Sequence, residues 1–244
     1  MKRKLSDFWT QTLSCTLGTV IGIVLTFGTS AWIDYREQRA TERTAALMVI
    51  HNLERFCDEL EGTVKTLQAV DSVNMKVLDA KDQLETVPED TLELFVTGIF
   101  SFHYATNDET AETIFSSNIE IWKSIGNSEF IELAGKCFSA KRLMVKFQER
   151  LETEKNALTD MFLKTVIYAD KPAESAPEVA ATVLRSATFC SFITKQHEFY
   201  LQGMQEGLKV LRKQTDDCKR LMNVTDEELK QFGYNDGTIA ETGV

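Results

Sequence analysis

The stretch "IHNLERFCDELEGTVKTL" (residues 50–67) places apolar side chains at alternating intervals of three and four residues. This heptad spacing puts six side chains on one face of an α-helix: Ile50, Leu53, Cys57, Leu60, Val64 and Leu67. Such a face is buried either in the core of a helical bundle or at the seam of a two-stranded coiled coil. The pattern weakens at Asp71 and Asn74 and recovers at Val77 and Leu78. We favour the bundle, with the coiled coil as the alternative.

The rest of the chain is also helical in pattern, and no stretch shows the alternation of a strand. The 244 residues include only 3 prolines and 12 glycines, which favours long helices over a many-turned sheet. We predict a first helix that continues to about residue 85, a short helix within residues 88–102, and a helix capped by Thr106 and Glu109. Asn118 is expected to form the turn that follows.

The second half of the sequence predicts two more long helices. The first begins after Asn127, as its N-cap, and runs to about Tyr168. A loop follows at 169–178, and the second helix runs without a break from Pro177 to about Met222. A short helix capped by Thr225 and Glu228 comes next. The predicted fold is therefore all-α: an N-terminal transmembrane helix followed by an antiparallel bundle of four to five helices.

The transmembrane helix is predicted at residues 13–33, which contain no charged residue. Twenty-one helical residues span about 30 Å, the thickness of the hydrocarbon core of a bilayer. Aromatic residues flank both ends, as in interfacial belts: Phe8, Trp9, Trp32 and Tyr35. A cleaved signal peptide ending at Ala31 is the alternative. We favour an uncleaved signal-anchor because the apolar run continues through Ile33 without a break.

The ends of this segment suggest an orientation. The short tail, residues 1–12, contains Lys2, Arg3 and Lys4, grouped more tightly than the basic residues after the segment. Positive residues are retained on the cytosolic side. We therefore expect a bacterial inner-membrane protein with a cytosolic N-terminus, a helical bundle at 34–222 outside the cytosol, and a short helix with a frayed tail at 223–244.

Within the predicted span, small side chains recur every four residues: Ser14, Gly18, Gly22, Thr26 and Ser30. Gly18 and Gly22 form a GxxxG pair, and such a row allows two membrane helices to approach closely. The row predicts helix packing within the membrane, against a second copy or a partner helix. Chance spacing in a span rich in small residues is the alternative.

The composition argues against several functions. The chain carries a net charge of −10, so nucleic acid is not an expected partner. The locally basic "KCFSAKRLMVK" (136–146) is expected to be a solvated helix face. Cysteines 57, 137, 190 and 218 have no zinc-like spacing, and they fit either buried thiols or two disulfides. No arrangement of residues predicts a catalytic, cofactor or metal site. We expect each of the three histidines to be an ordinary core-edge or partly exposed side chain.

Two stretches resemble a known group of sequences. "LTFGTSAWIDYREQRATERTAALMVIHNLERFCDELE" (25–61) runs from an apolar segment directly into a charged helix. "AETIFSSNIEIWKSIGNSEFIELAGK" (111–136) joins a helix, a turn and a new capped helix. Together they resemble uncharacterised bacterial single-pass membrane proteins with helical bodies, although this chain has Asn118 where such proteins often have glycine. The resemblance implies the anchored architecture but no activity.

These observations predict a non-enzymatic single-pass membrane protein in contact with membrane lipid. It would act as a helical scaffold or partner-binding module in the cell envelope. The alternative is an extracytosolic sensory domain that binds a ligand and signals through a partner.

Overall fold

The computed structural model describes the backbone of residues 2–117, 125–168 and 175–235, and the side chains of 35–117, 125–168 and 175–233. These residues form eight α-helices and no strand, so the all-α prediction is confirmed. The α-helices are α1 (Lys2–Asp79), α2 (Glu89–Gly98), α3 (Thr110–Ser117), α4 (Ser128–Phe162), α5 (Ala176–Arg185), α6 (Ala187–Lys195), α7 (Gln202–Met222) and α8 (Asp226–Asn235). Shorter turns are a 3₁₀ helix, Leu84–Thr86, and two π-helical segments, Leu163–Ile167 and Gln196–Leu201.

The predicted span at 13–33 belongs to the backbone of α1, which is continuous from Lys2 to Asp79. Its side chains, including those of the small-residue row, lie outside the described set. Over the residues whose side chains are described, no helix is both long enough and apolar enough to cross a membrane.

The three long helices α1, α4 and α7 form the centre of a bundle. Glu54 on α1 pairs with Lys219 near the end of α7. Asp58, one turn later on α1, pairs with Arg212, about two turns earlier on α7, so the two helices are antiparallel. Along α4, Cys137 contacts Cys218 and the later residue Phe147 contacts the earlier residue Gly203, so α4 and α7 are antiparallel as well. It follows that α1 and α4 are parallel, because α7 is antiparallel to both.

The heptad face of α1 is buried against these neighbours. None of its six apolar residues is more than 5% exposed. The bundle-core interpretation is therefore confirmed over the free-standing coiled coil. Apolar side chains divide into two clusters along the bundle: one includes the first half of the heptad face and α8, and the other surrounds the second half with α2, α5 and α6.

An extended segment, residues 101–109, runs along α4 next to α1, and we call it the strap. Three polar side chains of α4, spaced seven residues apart, bind its backbone. Lys155 Nζ donates to Ser101 O at 2.7 Å, Gln148 Oε1 accepts from Ala105 N at 2.8 Å, and Lys141 Nζ donates to Asp108 O. These α4 side chains are at most 4% exposed. Buried backbone N–H and C=O groups that have no partner in a helix or sheet need hydrogen bonds from side chains such as these.

The strap corrects two predictions from sequence. Lys141 was expected on a solvated face but is 1% exposed, because it satisfies the Asp108 carbonyl and Asn52 Oδ1. Thr106 was expected to cap a helix, but it lies within the strap, and its N–H donates to Oε2 of Glu59 on α1 at 2.6 Å. The helix begins at Thr110 instead, and the backbone N–H of Thr110 donates to Asp108 Oδ1 at 3.0 Å.

Of the other predicted helix boundaries, some are confirmed and others differ in the structure. The cap of α4 is confirmed, since Asn127 Oδ1 accepts from Phe130 N at 3.1 Å. The capping box before α8 is confirmed as well, because Glu228 Oε2 accepts from Thr225 N at 2.9 Å. The first helix ends at Asp79, earlier than expected. The predicted turn at Asn118 falls in a range that the structure does not describe.

The predicted single helix from Pro177 to Met222 is wrong. Ser186 has an extended backbone (φ −82°, ψ 114°), which separates α5 from α6. A π-helical segment, Gln196–Leu201, then separates α6 from α7. Neither interruption contains a glycine or proline within it, so the sequence offers no ordinary signal for them.

Candidate functional site: a buried polar cluster at a π-helical segment

The heptad face of α1 carries two polar residues into the core. Asp71 and Asn74 continue the same three–four spacing beyond Leu67, and they are 5% and 0% exposed. They face the second apolar cluster of the bundle, where α1 meets the π-helical segment Gln196–Leu201. Gln196, the first residue of that segment, is also 0% exposed. We call Asp71, Asn74, Gln196 and His197 the polar cluster.

Most of the polar atoms in this cluster lack a protein partner. Among the described residues, neither the amide nitrogen nor the amide oxygen of Asn74 or Gln196 reaches a hydrogen-bond partner. The Oδ1 atom of Asp71 is unpartnered in the same sense. A buried polar group left unpaired costs about 1–3 kcal/mol. Such groups in a folded protein therefore call for an explanation, such as a bound water, an ion or a functional role.

The second oxygen of Asp71 is paired. His197 Nδ1 lies 2.7 Å from Asp71 Oδ2, and the His197 side chain is 41% exposed while that of Asp71 is 8% exposed. The hydrogen bond and the charge of Asp71 raise the pKa of His197, and the charge of Glu198 adds a smaller effect. The imidazole thus reaches the solvent, while the carboxyl group with which it pairs is held inside the bundle.

The backbone at this point is unusual. A π-helix is rare, and where one occurs it is often found at a functional site. Here it occupies the junction between α6 and α7, directly against α1. Gln196 and Tyr200, both within this segment, are 0% exposed.

Charged groups on α4 border the other side of this segment. Lys195 Nζ donates to Glu154 Oε1 at 2.5 Å, and Arg150 Nε lies 3.5 Å from the same oxygen. Partial burial opposes ionisation of Glu154, but these contacts prevail and lower its pKa. The buried Tyr200 hydroxyl lies beside this carboxylate without reaching hydrogen-bond geometry, and burial together with Glu154 raises the pKa of Tyr200.

A cleft of about 300 Å³ opens next to these charges, between α4 and α6. Its walls are mainly apolar, with Leu158, Met161 and Phe192 among them, and Lys195 and Glu154 lie at its rim. This volume is at the lower end of those that hold small molecules. Lys195 precedes Gln196 directly, so an occupant of the cleft would touch the residue adjoining the polar cluster.

The polar cluster offers groups that can bind a small polar ligand. The two amides offer donors and acceptors, and Asp71 offers one free carboxylate oxygen. No group of three or more metal-ligating side chains is found among the described residues. The cluster fits internal water or a small polar group.

The predicted packing residues lie outside the set whose side chains the structure describes: Ser14, Gly18, Gly22, Thr26 and Ser30. The sequence did contain one sign of the cluster: Asp71 and Asn74 interrupt an apolar heptad row. Their partners on the π-helical segment had no comparable signal. Compared with protein families, curated proteins and solved structures, the chain matches none of them.

Proposed function

We propose that this protein is a non-enzymatic, single-pass protein of the bacterial inner membrane. In this proposal residues 13–33 anchor the chain, and an antiparallel helical body outside the cytosol binds a partner. The observation that supports it most is the continuity of α1 from Lys2 to Asp79. The uncharged segment and the core face of the bundle are thereby parts of one helix, with exposed residues 35–41 between them.

The small-residue row within the proposed anchor supplies a surface for a second membrane helix. Gly18 and Gly22 allow close backbone approach, and the hydroxyls of Ser14, Thr26 and Ser30 supply donors for bonds between helices. Membrane lipid and either a second copy or a partner helix are therefore the proposed neighbours of this segment.

A topology experiment tests the anchored arrangement. Glu85 is exposed in the body, so a Glu85→Cys variant in a Cys15→Ser, Cys190→Ser background presents one accessible thiol. A membrane-impermeant maleimide should label it in intact spheroplasts. The matched variant Lys4→Cys should be labelled only after permeabilisation. Labelling of Glu85→Cys only after permeabilisation would overturn the extracytosolic placement.

A sensory function is the second candidate, and the polar cluster is the observation that favours it. Asp71 and Asn74 belong to the same helix as the proposed anchor, while Gln196 and His197 face them from the π-helical segment. A proton or small molecule that alters this contact would act directly on the helix that enters the membrane. The two arrangements of packed helices needed for signalling would then differ in how α1 meets this segment.

One substitution separates the two candidates. Glu37→Pro interrupts α1 at an exposed position between the anchor and the body, and Glu37→Ala is its matched control. A partner-binding body should still capture its partner from solubilised membranes in both variants. A sensor should retain ligand binding in the proline variant but lose its effect on the partner. Loss of capture in the proline variant alone would contradict the scaffold.

A further inference from the structure

Two cysteines from different long helices are in contact in the first core cluster. Cys137 on α4 and Cys218 on α7 have their Sγ atoms 3.9 Å apart, and both side chains are fully buried. Cys57 on α1 lies close enough to Cys137 for the charge of one to affect ionisation of the other. All four described cysteines are free thiols, and the fourth, Cys190, is half-buried in the other core cluster.

We propose that Cys137 and Cys218 form a disulfide between α4 and α7 when the chain folds in the presence of a disulfide oxidant. The thiolate of one cysteine attacks the disulfide of the oxidant, which gives a mixed disulfide and releases one thiol of the oxidant. The second cysteine then attacks the mixed disulfide and releases the other thiol. The two cysteines lose two protons and two electrons, and the oxidant is reduced to two thiols.

The geometry of the folded bundle favours this pair. Sulfur atoms at 3.9 Å are in van der Waals contact and need to approach by only about 1.9 Å to bond. The antiparallel α4 and α7 pack closely further along the same interface, where glycines at 203 and 207 lie against Phe147 and Met144. Cys190 has a different environment, since its thiol donates to Leu184 O within the same part of the chain.

The same burial makes the folded protein resistant to oxidation. An oxidant cannot reach either sulfur atom without opening the bundle. In addition, Cys137 and burial raise the pKa of Cys218, so its thiolate is scarce. The crosslink therefore forms during folding, once α4 and α7 have paired but before the rest of the bundle covers the two sulfur atoms. A chain that folds under reducing conditions keeps its thiols. This inference does not require the proposed function, although an extracytosolic body would fold where oxidants are present.

The test compares folding with exposure after folding. The full-length chain in detergent is reduced and denatured, then refolded in oxidised and reduced glutathione; a second sample is folded first and given the same buffer. Alkylation followed by peptide mass spectrometry identifies the linked cysteines. We expect a peptide joining Cys137 to Cys218 after refolding, and free thiols at both positions in the prefolded sample over hours.

Stability and matched variants complete the test. The crosslink closes a loop of 81 residues, so the Tm should rise on the order of 10 °C and return to its starting value with dithiothreitol. Cys57→Ala and Cys190→Ala should keep the crosslink, while Cys137→Ala and Cys218→Ala should each lose it. Another pairing, no pairing, or equally fast oxidation of the prefolded protein would overturn the proposal.

Discussion

A Cβ atom at Gly203 would lie 2.6 Å from Cε1 of Phe147. One turn further along α7, a Cβ at Gly207 would overlap Sδ of Met144. The two glycines thus form a GxxxG pair that brings α7 close to α4. The Phe147 ring also stacks on Phe199 at 5.2 Å, so it is restrained from both sides.

Gly203→Ala should destabilise the protein by about 1–3 kcal/mol, because the added methyl group displaces a restrained aromatic ring. Gly135→Ala is the matched control on α4, where nothing lies within 4 Å of the added atom. That variant should gain about 0.5–1 kcal/mol from helix propensity alone. Urea unfolding of both variants measures the difference. If Gly203→Ala is as stable as Gly135→Ala, the close packing at this position is contradicted.

The two GxxxG pairs illustrate what the sequence can predict. The pair at Gly18 and Gly22 predicts helix packing because it lies in an uncharged segment, where small residues let two membrane helices approach closely. Gly203 and Gly207 lie in a charged, amphipathic helix, where the sequence alone marks no role for them. Their role depends on which side chains of α4 lie opposite, and that pairing is a long-range property.

The polar residues of the core follow the same logic. The local heptad spacing of α1 was enough to predict its buried face, and the break at Asp71 and Asn74 was visible. The seven-residue spacing of Lys141, Gln148 and Lys155 was also present in the sequence. The sequence does not show what this spacing is for, because the strap that these side chains bind comes from a segment more than thirty residues earlier.

Lys155 should make stability depend on pH. Burial lowers its pKa from 10.5 to about 8. Between these two values the unfolded chain holds a proton that the folded chain has lost, so stability should rise as the pH increases from about 8 to about 10.5. The full contribution is on the order of 3 kcal/mol. Urea unfolding across this range should show the rise in the wild type and a flatter profile in Lys155→Met.

Lys136→Met is the control for this profile. The Lys136 side chain is 60% exposed and pairs with Glu132 on the surface of α4, so its removal should leave the slope above pH 8 unchanged. A Lys155→Met profile that still rises like the wild type would show that another group is responsible.

His197 should titrate under the control of Asp71. Its folded pKa is raised, so its stabilising contribution is complete below the unfolded value of about 6.5 and is lost as the pH rises through the folded value. Asp71→Asn removes both the hydrogen bond to an anion and the charge. We expect the pKa of His197 to fall in this variant. The chemical shift of its ring protons, recorded by NMR across a pH titration, measures this change.

Glu198→Gln provides a graded comparison for the same titration. Glu198 acts on His197 only through its charge and is the smallest of the contributions, so its removal should lower the pKa less than Asp71→Asn does. An equal or larger effect of Glu198→Gln would contradict the direct pairing of His197 with Asp71.

Gln148 should hold the strap in place through one hydrogen bond. Its Oε1 atom accepts from Ala105 N at 2.8 Å, and both residues are buried. Gln148→Leu keeps the size of the side chain but leaves this N–H without an acceptor, which should cost about 1–3 kcal/mol. Glu149→Leu, at the exposed neighbouring position, should change stability by less than about 0.5 kcal/mol.

Hydrogen exchange then locates the effect. In Gln148→Leu the Ala105 amide should exchange faster than can be explained by the loss of global stability, because the strap opens locally. The amides of α7 do not depend on this bond, so their exchange rates should change only as much as the loss of global stability requires. If Ala105 keeps its protection relative to α7, the strap is held by its other contacts, those of Lys141 and Lys155, and the assigned role of Gln148 is wrong.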